Sequence, residues 1–314
     1  MQLPVLARTL RGIESIASDE IRSRLGVEEI AVGHRELRFS VPELTPSLLE
    51  LGTVDDVFLV TGEIEGVTRH RESLVRVASL RPDLDELARI LGRSGPRTFD
   101  VVASFLGRRN YSRFELEDAL GGPLADATGW SYLSRAGGAR ARGELSLRVH
   151  VVDSKAALTV RIAEAPLHRR AYRVATVPGS VHPPLARALA LLAARPFVDP
   201  FCGAGTIPIE GALAGLRTRG SDIDPSAIEA ARLNAASARV DVPFAVADAA
   251  SLGETDCVVT NPPWGKAVPA ARVSLRARRL VLLTAEPTGL DPVALEQTVR
   301  VHGAVATITV VERP

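Results

Sequence analysis

Four short segments between residues 199 and 265 carry residue types suited to holding a small ligand and an amine. The first is Asp199-Pro-Phe-Cys-Gly-Ala-Gly205-Thr206, where glycines follow a strand-like run. Glycine lacks a Cβ, so the backbone there can approach a ligand closely. The segment has no Gly-Lys-Ser/Thr of a P-loop, and Pro208 stands where a dinucleotide fingerprint would have its third glycine. Asp222 follows Asp199 by 23 residues and Asp248 follows Asp222 by 26. A carboxylate at a strand tip can accept both hydroxyls of a ribose. Asp224, ahead of Pro225, is the better cap for the next helix, which releases Asp222 for that role. Asp248 suits either an exocyclic amino group or a plain turn. The fourth segment, Asn261-Pro-Pro-Trp-Gly265, comes 13 residues after Asp248. Its prolines fix the backbone so that the Asn261 side-chain oxygen and the Pro262 carbonyl can converge on one NH₂ group. Trp264 offers a flat face on which a base could stack.

These tips need strands to carry them. After Pro184 the apolar pattern predicts helix Leu185 to Ala194, strand Arg195 to Asp199, helix Ile207 to Leu216, strand Thr218 to Ile223 and helix Pro225 to Ala238. Strands Phe244 to Ala247, Asp256 to Thr260 and Arg279 to Ala285 follow, then helix Pro292 to Val299 capped by Asp291, and a closing strand pair turning at His302-Gly303. Alternating strands and helices imply a mostly parallel sheet covered on both faces, with an antiparallel edge. Upstream, the pattern gives strands at Val5 to Leu10, Glu36 to Val41, Val54 to Thr61, Phe99 to Ser104, Leu145 to Asp153 and Ala156 to Ile162. Helices are expected at Ile13 to Leu25, Leu74 to Leu80 and Tyr111 to Leu120. The Pro/Gly-rich stretch from Val177 to Pro184 reads as the boundary between the halves.

At 314 residues, 46% hydrophobic and 24% charged, the chain has the composition of a globular protein of about two domains. There is too much apolar surface for intrinsic disorder and no run of 18 apolar residues for a membrane span. Two cysteines without CxxC or clustered histidines give no expectation of a zinc site or a disulfide framework, and a cytoplasmic location fits them. The formal net charge of +1 hides an uneven distribution: residues 97–173 hold 13 basic and 8 acidic groups. An anionic partner is therefore sought in that middle segment. Arg108, Arg109 and Arg113 flank Tyr111 there, and Arg169, Arg170 and Arg173 flank Tyr172. Arginine suits phosphate and tyrosine can stack on a base, while the plainer alternative is a solvated charged face.

The four tip segments together resemble class I S-adenosylmethionine-dependent methyltransferases that act on exocyclic amino groups. The continuation Ile207-Pro-Ile-Glu210 is similar to the RNA guanine-N2 methyltransferases that carry a THUMP domain. Leu10-Arg-Gly-Ile-Glu14 resembles their ferredoxin-like opening. Ala103-Ser-Phe, Tyr111-Ser-Arg-Phe and Glu117-Asp-Ala-Leu-Gly121 resemble THUMP, and Leu167-His-Arg-Arg-Ala-Tyr-Arg173 resembles their joining segment. The resemblance implies an α/β architecture: a ferredoxin-like domain over 1–52, a THUMP RNA-binding domain over 53–165, a linker over 166–184 and a Rossmann-like methyltransferase domain with a mostly parallel seven-stranded sheet over 185–314. It implies S-adenosylmethionine as cofactor, held by Asp199, Cys202, Gly203, Gly205, Thr206, Asp222, Ile223, Asp248 and Asn261. Asn261, Pro262 and Trp264 would take the target guanine. The implied partner is RNA, tRNA by its acceptor end first, bound by a monomer without metal or membrane.

One departure stands out. Only residues 267–278 separate the Asn-Pro-Pro motif from the next strand, near the minimum for a parallel crossover, and Arg272, Arg276, Arg278 and Arg279 in or beside it become further RNA candidates. The rival readings are a ribosomal RNA methyltransferase and an RNA-binding protein with a vestigial cofactor domain. Pro208 and the absence of a placed catalytic His or Tyr disfavour a dehydrogenase, and the THUMP-like half disfavours DNA or protein amides as substrates.

Overall fold

Period-two apolar runs separated by glycine and proline build two sheets, and 3.6-period runs cover them. The computed structural model describes residues 2–138, 142–264, 275–301 and 303–313. The chain divides into two compact units interleaved in sequence: one holds residues up to Ala7, Arg38–Leu49 and Asp56–Glu164, the other Arg8–Leu37, Glu50–Asp55 and Ala165 onward. Residues 1–52, expected as one domain, contribute to both. Among the described residues no helix is long and apolar enough to cross a membrane.

The elements up to the connector are β1 (Leu3–Thr9), α1 (Glu14–Leu25), β2 (Ala31–Gly33), β3 (Glu36–Val41), β4 (Val54–Glu65), α2 (Leu74–Val77), α3 (Leu84–Ile90), β5 (Thr98–Phe105), α4 (Arg113–Thr128), β6 (Ser131–Tyr132), β7 (Leu145–Val152) and β8 (Lys155–Arg161). Their sheet runs β2-β3-β1-β4-β8-β7-β5-β6. Along β7 the odd residues Leu145, Leu147, Val149 and Val151 are buried and the even ones are not, as period-two patterning requires. In the first unit these residues meet Leu116, Leu120 and Leu124 of α4, which lie on one helical stripe. A capping box starts α4: Ser112 accepts from the Glu115 amide and Glu115 accepts from the Ser112 amide.

In the second unit follow α5 (Pro183–Ala193), β9 (Phe197–Asp199), α6 (Thr206–Leu213), β10 (Thr218–Asp222), α7 (Pro225–Ala238), β11 (Phe244–Val246), β12 (Thr255–Thr260), β13 (Ala277–Thr284), β14 (Val293–Val301) and β15 (Ala304–Glu312). The seven-stranded sheet runs β11-β10-β9-β12-β13-β15-β14. β11, β10, β9, β12 and β13 pair in parallel, and β15 joins β13 and β14 antiparallel. The expected mostly parallel sheet with an antiparallel edge is thus observed. Strand order reverses between β9 and β12, the point where open α/β sheets leave a crevice for ligands.

One element is corrected. The helix expected at Pro292 to Val299 is strand β14. Asp291-Pro292 imitates a helix start, but Leu295, Gln297, Val299 and Val301 alternate inward and pair along β15 from Leu295↔Val310 to Val301↔Ala304. Of the short crossover 267–278, residues 267–274 lie outside the described residues, as do Gly265, Arg272 and His302.

Candidate functional site

A cavity of about 610 Å³ opens beyond the carboxyl ends of β9, β10 and β12 in the second unit. All four segments singled out by sequence reach it: Asp199, Cys202, Gly203 and Thr206; Asp222 and Ile223; Asp248; and Asn261, Pro262 and Trp264. Gly205 lies behind this lining. It is the N-cap of α6 in the left-handed region, with φ at 80°, and a Cβ there would stand 2.9 Å from the Phe244 ring. Only glycine satisfies both conditions.

The carboxylates differ in how far their own chain occupies them. Asp222 accepts from the Gly203 amide at 2.9 Å and from the Asp224 amide at 3.1 Å, which ties the glycine loop to the neighbouring strand tip. Asp224 caps α7 through the Ser226 amide, as expected. Asp248 caps the single turn 249–251 through the Ala250 amide, the plain-turn reading, and it also lines the cavity. Asp199 is 1% exposed. Its Oδ1 accepts from the Thr260 hydroxyl at 2.6 Å and the Phe201 amide at 3.1 Å, while Oδ2 has no partner among the described residues. Burial pushes its carboxyl up to about 7, opposed by the Thr260 hydrogen bond. Burial also pushes the Cys202 thiol up, so it is a packed apolar group and not a nucleophile.

Asn261 donates its amide Nδ2 to the Gly179 carbonyl at 3.4 Å. That contact orients the amide, because a carbonyl can only accept, and it turns Oδ1 away as a buried acceptor with no partner among the described residues. Trp264 is half-buried; its indole N–H donates to the Leu283 carbonyl at 3.1 Å, and the side chain packs against the sheet core while lining the cavity.

Sequence reasoning missed one wall. Val177, Pro178, Gly179, Ser180 and Val181, expected only as a boundary, line the cavity. Fully buried Asn234 of α7 holds this stretch in place. Its amide bonds both the N–H and the carbonyl of Ala175, and also the carbonyl of Ala204 in the glycine loop. A polar residue on the buried face shared by Ile228 and Ala231 was the available signal. Glu210 was also missed as an anchor. Its buried carboxylate accepts from Arg170 Nε at 2.7 Å, Tyr172 at 3.0 Å and Arg187 Nε at 3.1 Å.

The arginine candidates separate. Arg170 is corrected: its guanidinium is spent on Glu210 and the Gly52 carbonyl, so it is not presented to a phosphate. Arg109, in the first unit, donates to the carbonyls of Val67, Leu106 and Asp153 and is a structural clamp. Tyr111 and Tyr172 are buried and cannot stack on a base. Arg279 donates to the Leu192 carbonyl and pairs with Glu312, which removes it from the RNA candidates, and Arg278 lies 3.8 Å from Asp256. Arg108 and Arg113 of the first unit are exposed, as are Arg169 and Arg276 of the second; Arg173 is half-buried.

Comparison with known proteins bears on these geometries. The description of the UPF0020 family, an RMKL-like methyltransferase domain, matches residues 170–280. The chain is 34% identical over 135 residues to tRNA (guanine(10)-N2)-dimethyltransferase of Methanothermobacter thermautotrophicus, which covers 38% of this chain and 39% of that protein. The chain thus spans about two fifths of that relative's length. It is 24% identical to tRNA (guanine(6)-N2)-methyltransferase of Archaeoglobus fulgidus over 88% of this chain and 81% of the relative. Among solved structures it resembles TrmN from Thermus thermophilus, with a TM-score of 0.79, 25% identity and coverage of 99% and 100% of the two chains.

Proposed function

We propose, from the match of residues 170–280 to the RMKL-like methyltransferase domain family, that the chain transfers a methyl group from S-adenosylmethionine to the N2 amino group of a guanosine in RNA, tRNA in the first place. The observation that carries this reading is the pair of buried oxygens, Asp199 Oδ2 and Asn261 Oδ1, that have no partner among the described residues and belong to residues lining one cavity. The first suits a cationic ligand and the second suits an amine. Asp199, Gly203, Thr206, Asp222, Ile223 and Asp248 would hold S-adenosylmethionine, with Asp222 at the ribose, Asp248 at the adenine amino group and the amides at the start of α6 near the methionine carboxylate. When bound, the cofactor supplies an electrophilic sulfonium methyl.

The guanine N2 lone pair is delocalised into its ring, so the amine is a weak nucleophile. Asn261 Oδ1 and the Pro262 carbonyl accept its two hydrogens and hold the lone pair out of the ring plane, in line for attack. Such positioning contributes up to about 7–11 kcal/mol in favourable systems. Asn261 is not a base, and none is required before attack. As the N–C bond forms the methyl–sulfur bond would break to leave a neutral thioether, and the amino proton, acidic only then, would pass to solvent. A paired guanine must leave its stack to reach this cavity, and Trp264 would offset part of an unstacking cost of a few kcal/mol. Transfer of labelled methyl from S-adenosylmethionine to bulk tRNA tests the assignment. Label in tRNA supports it, label in ribosomal RNA alone replaces the substrate, and label in neither overturns it.

Asp199 gives this site a pH signature. Its carboxyl titrates near 7 in the fold against 3.8 unfolded. The folded form thus holds a proton the unfolded form has lost, and this group's contribution to stability falls as pH rises from about 4 to 7. Cofactor affinity runs the other way, since a cation needs the ionised form. The ionised fraction grows as pH rises through about 7, so affinity rises severalfold between about pH 6 and pH 8. Calorimetric titration checks this. Asp199→Asn is expected to bind weakly and without that slope; a slope unchanged in the variant would assign it to another group.

Arg108 and Arg113 are the phosphate-binding candidates of the first unit, in the part read as THUMP. Their double replacement by alanine should weaken tRNA binding and flatten the dependence of log affinity on log salt by about 1 for each phosphate no longer neutralised. Arg109→Ala should instead lower stability, since it strips the partner from three carbonyls. An unaltered salt slope in the double variant would move the RNA surface elsewhere. A cytoplasmic, monomeric enzyme docking on the acceptor end of tRNA completes the proposal.

A further inference from the structure

We propose that Asp55, His168 and His182 form a binding site for one divalent transition-metal ion of the zinc type, which fastens the two ends of the cavity-wall segment. All three residues belong to the second unit. The chain has six histidines, and two of them meet one aspartate here from three separate stretches of sequence. One ligand atom from each lies within 4.8 Å of the other two. His182 Nε2 and Asp55 Oδ1 are 3.5 Å apart, near the ~3.3 Å edge of a tetrahedron with metal–ligand bonds of ~2.0–2.1 Å. Closing the remaining donor distances from at most 4.8 Å to that edge takes up to about 1.5 Å of side-chain movement.

One nitrogen of His168 is anchored by the backbone. Its Nδ1 lies 3.2 Å from the Asp55 backbone carbonyl, and its own amide donates to the same oxygen at 3.0 Å. A carbonyl can only accept, so Nδ1 carries the hydrogen and Nε2 carries the lone pair. Metal-binding imidazoles characteristically anchor their second nitrogen in this way. The two rings lie 5.5 Å apart with 26° between their planes. Two imidazoles and one carboxylate suit zinc, cobalt or nickel and not calcium or magnesium. A fourth position is left for water. The expectation of no metal rested on the lack of a spaced motif, and donors at 55, 168 and 182 form none.

The site's place in the fold gives the ion a task. His168 opens the connector and His182 is the N-cap of α5. Between them run Val177 to Val181, the cavity wall whose Gly179 carbonyl orients Asn261. An ion at this point restrains that wall from outside the cavity and touches no reacting atom. The inference does not depend on the proposed function, because its readout is metal binding.

The test uses the untagged full chain, stripped with EDTA and titrated with Co²⁺ while visible absorption is followed, then challenged with Zn²⁺. One saturable equivalent with a tetrahedral d–d band, displaced by Zn²⁺, is expected. Asp55→Asn and His182→Gln, shown folded by circular dichroism, should each weaken binding by at least ~tenfold. Absence of saturable Co²⁺ binding in the unmodified chain, or binding unchanged in both variants, overturns the proposal.

Discussion

Asn261→Ala is expected to lower the methyl-transfer rate by ~10²–10³-fold while cofactor affinity changes little. Removing one preorganised group aimed at the reacting atoms typically costs that much. The reason for so large an effect is that Asn261 Oδ1 is buried and has no partner among the described residues. Asn261→Asp separates orientation from mere presence of an acceptor. It keeps an oxygen in place, but an aspartate oxygen now faces the Gly179 carbonyl where Nδ2 stood, and two acceptors repel. Its rate should fall between those of the alanine variant and the natural chain. Single-turnover transfer rates with calorimetric cofactor affinities measure both. An alanine variant that turns over normally would remove Asn261 from the chemistry.

The largest expected loss of stability is that of Glu210→Gln. Glu210 is fully buried, and its carboxylate collects Arg170, Arg187 and the Tyr172 hydroxyl. The substitution removes the charge but leaves two guanidinium groups in the interior. Breaking a buried pair in this way costs about 3–5 kcal/mol, because desolvated charge is left uncompensated. Tyr172 reports on the same network: burial, with the Glu210 carboxylate beside it, pushes its phenol well up. The connector through Arg170 and Tyr172, and α5 through Arg187, are both fastened to α6 here, so the variant should also loosen the cofactor cavity. Urea denaturation of the two proteins gives the difference, and a loss below about 1 kcal/mol would show the network to be incidental.

The strand tips were legible because glycine, aspartate and proline punctuate the ends of apolar runs. Asp199, Asp222, Asp248 and Asn261 therefore fell into one cavity as expected. The supports behind them were not legible. Asn234 acts on Ala175, 59 residues away, and Glu210 on Arg170, 40 residues away, and nothing local in sequence marks such partners. Charge clusters proved a poor guide for the same reason. Arg108 and Arg109 are neighbours, yet one is exposed and the other is bound to three carbonyls. At β14 a sound local helix start lost to antiparallel pairing with β15, a contact that only the tertiary fold supplies.

The central claim is that this cavity delivers a methyl group to an exocyclic guanine nitrogen. Nucleoside mass spectrometry of tRNA and ribosomal RNA, incubated with the chain and S-adenosylmethionine and then digested, tests it most directly. The predicted result is N2-methylguanosine in tRNA, absent when Asn261→Ala replaces the natural chain. A methyl group on adenine, on a ring carbon or on a ribose hydroxyl, or N2-methylguanosine formed equally by the variant, would contradict it.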